Sequence, residues 1–172
     1  MRRRTAVVND PDDVNAAEAA ALRILGGASQ AAAALERRLR HRGFSASAAQ
    51  HAVQRCRELG YVDDAAFAMS LTARQQRAGH GRGRVVAELR KRGIDGDDAA
   101  AALGAIDEDA EEQAAAALAQ KLYDREAGGR RVDDRTRHRI AAALQRRGFG
   151  SRVITHALRR VDTETIEPAA DD

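Results

Sequence analysis

The sequence has very few aromatic residues and no tryptophan, which argues against a large single core built on aromatic side chains. Aromatic residues make up 3% of the 172 residues, whereas 44% are hydrophobic, and many of these are alanine. Alanine is a strong helix former that adds little volume to a core. Together with the scarcity of proline, only two residues, this composition predicts an all-α protein.

Cysteine and long apolar runs are equally scarce. The only cysteine is Cys56, so a disulfide within the chain is excluded, which fits a reducing compartment. No apolar run is long enough to span a bilayer, and no apolar stretch of a signal peptide follows the first basic residues. We therefore expect a cytoplasmic protein that does not contact a membrane.

Catalytic and metal-binding patterns are also missing. The five histidines are scattered, and none has a cysteine or carboxylate at metal-ligand spacing. No Ser–His or Cys–His arrangement typical of nucleophilic catalysis is found. The sequence therefore predicts a protein that is not an enzyme and that binds neither metal nor cofactor.

The net charge is only +3, but the charges are distributed unevenly. Residues 19–60 contain seven arginines and two glutamates, and residues 125–160 contain eleven arginines and three acids. Residues 161–172 contain five acids and no base. Although such runs are often ordinary solvated helix faces, this asymmetry favours basic surfaces that face a polyanion or an acidic partner.

The chain repeats itself. Residues 35–44, 85–94 and 140–149 align on a glycine, with apolar residues eight and four positions before it and one, ten and thirteen positions after it. Fixed periods of this length indicate a repeat architecture. The shared glycines are Gly43, Gly93 and Gly148.

Each copy has the pattern of a helix, a glycine turn and a second helix. Apolar residues four apart describe the inner face of a helix, and the glycine suits a left-handed C-terminal cap. The position thirteen residues after the glycine is Cys56 in the first copy, which we interpret as a core residue rather than a nucleophile.

A further helix precedes each pair, at about residues 16–25, 64–78 and 109–126. Stacked units of about 50 residues would bury apolar surface that none of them buries alone. The predicted fold is therefore all-α, with three tandem three-helix repeats, similar to helix-turn-helix units, that form an elongated, curved body. The predicted segments are a mobile N-terminal arm 1–15, repeats 16–61, 62–107 and 108–162, and an acidic tail 163–172.

These residues resemble the signature of the RecX family. The segment from Leu35 to Phe44 is followed by Gly60-Tyr61-Val62-Asp63-Asp64-Ala65-Ala66-Phe67-Ala68, and Arg77-Ala78-Gly79 is followed by Glu88 to Ile94. The resemblance covers about residues 19–161, with Val62 in place of a commoner leucine and about five extra residues around 128–134. The positions that carry it, or that we interpret as structural, are Gly43, Gly60, Tyr61, Asp63, Asp64, Phe67, Leu89, Gly93 and Gly148.

The resemblance implies a regulator that binds RecA and RecA filaments on single-stranded DNA. Members of this family inhibit filament growth or persistence, and thereby reduce ATP hydrolysis, strand exchange and the co-protease activity that triggers the DNA-damage response. We therefore expect a protein of DNA repair and homologous recombination that acts as a monomer, with direct contact to DNA phosphates as a further possibility.

The step from Gly60 to Phe67 has a structural explanation of its own. Gly60 can end a helix, Tyr61 and Val62 can pack back on it, and Asp63 or Asp64 can cap the next helix. The paired carboxylates also suggest a metal site. Capping is the favoured interpretation, because no histidine or further carboxylate completes a coordination shell.

Basic clusters precede the three glycines, and cations there would also complement the negative end of a helix. They are Arg40-His41-Arg42, Arg90-Lys91-Arg92 and Gln145-Arg146-Arg147. Arg82 and Arg84 lie among glycines in what we predict to be a flexible basic loop that can approach phosphates, and Arg130-Arg131 is a weaker example. The predicted RecA- or DNA-binding residues are Arg37, Arg38, Arg40, Arg42, Arg74, Arg77, Arg82, Arg84, Arg90, Lys91, Arg92, Arg130, Arg131, Arg146 and Arg147.

A sequence-specific helix-turn-helix transcription regulator is the alternative function, because three-helix units of this size can read a major groove. Residues 97–105, the last helix of the second copy, are acidic and small, and residues 47–58 carry few bases before Arg55 and Arg57. These compositions favour sequence-independent contact with phosphates over base recognition.

Overall fold

A computed structural model of the protein describes residues 8–127 and 133–164, with side chains over 8–126 and 133–162. Within these ranges the chain forms nine α-helices and no β-strand, so the all-α prediction is confirmed. The helices are α1 (Val14–Leu25), α2 (Ala32–His41), α3 (Ala46–Glu58), α4 (Asp64–Arg77), α5 (Arg82–Arg92), α6 (Gly96–Gly104), α7 (Glu108–Ala127), α8 (Asp134–Arg146) and α9 (Ser151–Glu164).

The helices belong to two compact units. Unit 1 contains residues 1–69 and 89–99, and in it α1, α2 and α3 pack on one another. Unit 2 contains residues 70–88 and 100–172, and in it α7, α8 and α9 pack on one another. The border passes through α4, α5 and α6, and the division of the chain into three repeats stays a prediction.

The two cores differ in the size of their side chains. The core of unit 1 is rich in alanine, which α1, α2 and α3 all contribute, around the larger residues Leu35, Leu39 and Phe44. The core of unit 2 contains Tyr123 and Phe149 with branched aliphatic residues and fewer alanines. Both cores place apolar residues at the helical spacing that the repeat pattern predicts.

The repeat alignment predicts the buried positions well. The residues eight and four positions before each glycine, and one and thirteen after it, are all buried. Ten positions after the glycine, Val53 is buried, whereas Leu103 and Leu158 are only half-buried. Gly43, Gly93 and Gly148 have φ angles of +103°, +76° and +88°, which is the left-handed conformation predicted for the caps.

Side-chain caps define several helix starts. Asp13, Ser45 and Asp133 accept hydrogen bonds from the backbone N–H three residues later, at 2.9, 3.2 and 2.8 Å. The bond from the Thr136 backbone lowers the pKa of the Asp133 carboxyl. Such caps stabilise a helix by about 1 kcal/mol, because they pair backbone donors that the helix itself leaves free.

The prediction of a mobile N-terminal arm over 1–15 needs correction from Val8 onward. The carbonyl of Pro11 accepts a hydrogen bond from the Ser45 N–H at 2.8 Å. Val8 packs against the core of unit 1, and α1 begins at Val14. Residues 8–15 are therefore held by a backbone hydrogen bond and apolar contact, and residues 1–7 lie outside the described residues.

Tyr61 is a second correction. The backbone N–H groups of Tyr61 and Val62 both donate to the carbonyl of Cys56, at 2.8 and 3.2 Å. This turn directs Val62 into the core, where 4% of it is exposed, and leaves 57% of Tyr61 exposed. Only Val62 therefore packs back on α3, and Tyr61 faces solvent.

Among the described residues, no helix is both long and apolar enough to cross a membrane.

Candidate functional site

Thirteen of the fifteen predicted binding cations lie within the described residues, and Arg130 and Arg131 lie outside them. All thirteen are exposed except Arg42 and Arg92, which are half-buried. They divide into those whose side chains contact the protein itself and those that do not. This division decides which of them are available to a partner.

In unit 1, cations from the first and second copies come together at the C-terminal end of α5. The guanidinium of Arg37 on α2 donates a hydrogen bond to the carbonyl of Lys91 at 3.1 Å. The guanidinium of Arg92 lies over the ring of Phe67, 5.8 Å from its centroid, in a cation–π contact. Arg37 therefore pairs a free carbonyl at a helix end, where a cation is also favoured by the helix dipole.

Within unit 2, the glycine segment at the start of α5 packs on the turn at Gly148, which corrects the prediction of a flexible basic loop. The N–H of Gly81 donates to the carbonyl of Arg147 at 3.0 Å, and the N–H of Gly83 donates to that of Gly148 at 2.9 Å. A methyl group on Gly81 would lie 2.6 Å from the carbonyl oxygen of Gly148. Because these glycines have no side chain, the backbone at the start of α5 can approach the backbone of the Gly148 turn closely.

Arg82 has two contacts in unit 2. Its backbone N–H donates to Oε1 of Glu111 at 2.6 Å, and its guanidinium donates to the carbonyl of Leu103 at 2.9 Å, near the end of α6. Arg84 forms an ion pair with Glu88 at 3.4 Å on the next turn of α5. Arg82 therefore joins α5 to α6 and α7, so a substitution there affects the fold as well as any partner.

Arg147 lies beside the turn that connects α4 and α5. Its Nη1 is 3.5 Å from the carbonyl of Ala78, and Nδ1 of the half-buried His80 is 2.7 Å from Oε1 of Gln75. Burial lowers the pKa of His80, and the charges of Arg147 and Arg84 lower it further, against a smaller opposite effect of Glu88. Burial and these two arginines therefore disfavour the protonated form of His80 at this turn.

The other predicted cations have no ion pair or side-chain hydrogen bond within the described residues. They come from α2, α4, α5 and the end of α8, and most lie in the last turn of their helix. We call this set the unpaired cations: Arg38, Arg40, Arg42, Arg74, Arg77, Arg90, Lys91 and Arg146.

Asp63 and Asp64 act as helix caps. Asp63 accepts a hydrogen bond from the N–H of Ala66 at 2.8 Å, at the start of α4. Asp64 accepts one from the N–H of Ala32 at 2.8 Å and pairs with Arg57 at 2.7 Å. It thus caps α2, whose own N-cap residue lacks a side-chain bond. Groups of three or more metal-ligating side chains are not found among the described residues.

Cys56 is buried in the core of unit 1, with 2% of its surface exposed. Burial raises the pKa of its thiol, and the charge of Glu18 raises it further. A thiol of raised pKa is a poor nucleophile, so these features agree with the predicted core position.

Sequence reasoning missed the partners that hold several of these residues. Asp64 pairs with a helix start 32 residues earlier in the chain, and Arg82 with carbonyl and carboxylate groups more than 20 residues later. The sequence identifies Asp64 and Arg82 as candidate residues. It does not predict their partners, because these are distant in the chain and follow no local pattern.

Two family models match this chain. The model of the second three-helix domain of RecX matches residues 63–103, and the model of the third three-helix domain of RecX matches residues 109–158. Together they cover more than half of the chain.

The chain is also similar to curated proteins. It is 35% identical over 150 residues to the regulatory protein RecX of Trichlorobacter lovleyi, which covers 85% of this chain and 94% of that protein. It is 34% identical over 138 residues to the regulatory protein RecX of Mycolicibacterium vanbaalenii, which covers 77% of this chain and 75% of that protein.

Among solved structures, the crystal structure of RecX from Lactobacillus salivarius matches with a TM-score of 0.78 at 21% identity, covering 88% of this chain and 97% of that one. At this identity the match supports the repeated all-α fold. The fold, the two domain models and the two relatives agree, and the chain belongs to the RecX family of regulatory proteins.

Proposed function

We propose that this protein binds RecA and RecA filaments on single-stranded DNA in the cytoplasm and inhibits their recombinase, ATPase and co-protease activities. It would thereby modulate homologous recombination, DNA repair and the DNA-damage response without catalysing a reaction itself. Membership of the RecX family supports this proposal, and so does the set of unpaired cations.

The unpaired cations are the observation that carries the proposal. An exposed arginine without an acidic neighbour keeps its full charge for an external carboxylate or phosphate. Several such contacts, spread over four helices, give avidity even when each is weak. Binding of this kind is independent of base sequence and falls steeply with salt, because each phosphate contact releases counterions.

The alternative of a sequence-specific transcription regulator has less support. The helix α6 would be the last helix of the second copy, and it contains Asp97 and Asp98 but no basic residue. A recognition helix needs donors that reach base edges in a major groove. Contacts with DNA, where they occur, are therefore expected to be with phosphates.

The proposal is tested by ATP hydrolysis of the cognate RecA on single-stranded DNA, with this protein added at less than one molecule per RecA. We expect strong inhibition at these ratios, because a ligand that prefers one protomer geometry or a filament end shifts assembly. Absence of inhibition by the folded protein would refute the proposal.

A pair of variants separates binding from folding. Arg90→Ala with Lys91→Ala removes two unpaired cations, and we expect weaker inhibition with unchanged thermal stability. The control, Arg55→Ala with Arg125→Ala, removes two charges that are already paired with Glu58 and Glu126. Equal loss of inhibition in both proteins would show that net charge, and not the unpaired cations, matters.

Arg82→Ala with Arg84→Ala removes the two cations of the predicted basic loop. Because Arg82 donates to the Leu103 carbonyl, we expect this pair to lower stability as well as inhibition. Its effect on inhibition is interpretable only at a temperature where circular dichroism shows the variant to be fully folded.

A further inference from the structure

The glycine turns of the second and third copies make the same kind of contact. In unit 1, the turn at Gly93 lies on the first turn of α2, at Ala33. In unit 2, the turn at Gly148 lies on the start of α5, at Gly83 and Arg84. Each turn therefore rests on the helix of the preceding copy, and the residue beneath it stands ten positions before that helix's own glycine.

The residue at this position has to be small. A methyl group on Gly83 would lie 2.9 Å from the carbonyl oxygen of Gly148. A methyl group on Gly93 would lie 2.6 Å from Cβ of Ala33. Distances this short leave no room for a longer side chain, since nonbonded carbon atoms prefer about 3.5–4 Å.

The same position in the third copy is His138, which is large and exposed. In addition, α8 begins at Asp134, fourteen residues before its glycine, whereas α2 and α5 each begin eleven residues before theirs. The backbone N–H of Thr136, equivalent by position to that of Gly81, is already bonded to Asp133. The start of α8 therefore has neither the space nor the free backbone donor with which α5 receives a turn.

The first glycine turn lies against the N-terminal segment and not against a helix of another copy. A methyl group on Gly43 would lie 3.6 Å from Cβ of Val8. The N–H of Ser45, two residues after Gly43, donates to Pro11. Residues 8–11 thus cover the turn at Gly43, as α2 covers the turn at Gly93 and α5 covers the turn at Gly148.

We propose that residues 8–11 and the extended start of α8 with His138 close the two ends of the repeat series against a second copy of this chain. Without them, the Gly43 turn of one molecule would lie on α8 of another, as Gly93 lies on α2. Such a head-to-tail contact does not close on itself and would continue from molecule to molecule. We call the residue ten positions before each glycine, on which the next turn lies, the receiving position. The size of the residue there decides whether the head-to-tail contact forms.

The test removes the block at each end separately, in the whole 172-residue chain. We call a protein with one block removed singly opened. Val8→Asp removes the apolar contact at the first turn, and Val8→Gly serves as a second variant with the same purpose. At the other end, residues 133–139 are replaced by the sequence of residues 78–84, Ala-Gly-His-Gly-Arg-Gly-Arg, which has the same distance to its glycine. The control exchange is identical but keeps His138.

Masses are measured by sedimentation from micromolar to millimolar concentrations, after circular dichroism has shown that each protein is helical. We expect the natural protein and each singly opened protein to sediment as 18.5 kDa monomers. An equimolar mixture of the two singly opened proteins should form a dimer and stop there, because each retains one closed end. A chain with both changes should form longer series whose mass rises with concentration.

The control exchange should not associate with the Val8→Asp protein, because its histidine still occupies the receiving position. If it does associate, or if the mixture of the two opened, folded proteins stays monomeric, the proposal is overturned. Head-to-tail association of the natural protein would overturn it as well.

Discussion

The turn at Gly93 in unit 1 and the turn at Gly148 in unit 2 have similar sequences but are held differently. At Gly93, the side chain of Arg37 binds a carbonyl of the turn, and the receiving residue is Ala33. At Gly148, backbone N–H groups of Gly81 and Gly83 bind the carbonyls directly. Gly81 and Gly83 at the start of α5 thus permit a close backbone contact in unit 2, for which the Arg37 side chain substitutes in unit 1.

Of the substitutions at the two turns, Gly148→Ala should lower the free energy of unfolding the most. The change strains a residue with φ of +88° and places a methyl group on the backbone nitrogen of Arg84. We expect the free energy of unfolding to fall by about 2–5 kcal/mol, measured by urea denaturation. Gly60→Ala, with φ of +73° and open space around it, should cost only about 1–2 kcal/mol. Equal losses would mean that the close approach contributes nothing.

Leu89→Ala and Leu144→Ala test whether the helices before the two turns are equally well packed. Both leucines stand four residues before their glycine and are at most 1% exposed. Each substitution should lower the free energy of unfolding by about 2–5 kcal/mol, because it leaves a cavity. Leu59→Ala, at a residue that is 49% exposed, is the control and should change it by less than about 0.5 kcal/mol. A silent Leu89→Ala would contradict the assigned core.

Gly83→Ala tests the receiving position in unit 2 directly. Alanine favours a helix over glycine by about 0.8–1 kcal/mol, so an uncrowded site would become more stable. Because the new methyl group would lie 2.9 Å from the Gly148 oxygen, we instead expect a loss of about 1–3 kcal/mol in urea denaturation. A gain in stability would show that Gly83 is not crowded by the Gly148 turn, and that glycine is not required at this position.

Arg37→Ala tests the side-chain bond in unit 1. The loss of the bond to the Lys91 carbonyl should lower the free energy of unfolding by about 0.5–1 kcal/mol, since this bond is exposed to solvent. Arg38→Ala removes the neighbouring arginine, which has no such partner among the described residues, and should be neutral within the error of the same measurement. If both substitutions have the same effect, Arg37 does not hold the turn.

The pH dependence of stability should involve unit 2 through His80. Its folded pKa is lowered from 6.5, by burial first and then by Arg147 and Arg84, against the opposing charge of Glu88. As the pH falls below 6.5, the unfolded chain binds a proton before the folded one does, so stability falls until the folded pKa is passed. His80→Gln should reduce this part of the pH profile in thermal melts. An unchanged profile would exclude His80 as its source.

The sequence by itself determined the class of fold, the buried stripe of each repeated segment and the left-handed glycines. These features depend on contacts within a few residues, so periodicity and backbone sterics are sufficient to predict them. The family resemblance could also be recognised from the sequence, because the segments around Gly60 and Gly93 are short local motifs. The pattern of charges predicts which residues bind a polyanion.

Only the tertiary structure decided which of those charges are available and which are used inside the molecule. Arg82 was predicted to contact a partner, yet its guanidinium binds the end of α6. The glycines around it were predicted to be flexible, yet they pack on the Gly148 turn. Asp63 or Asp64 was predicted to cap α4, and Asp63 does so, whereas Asp64 caps the distant helix α2. Each outcome depends on groups far apart in the chain, whose approach follows from packing and leaves no periodic signal in the sequence.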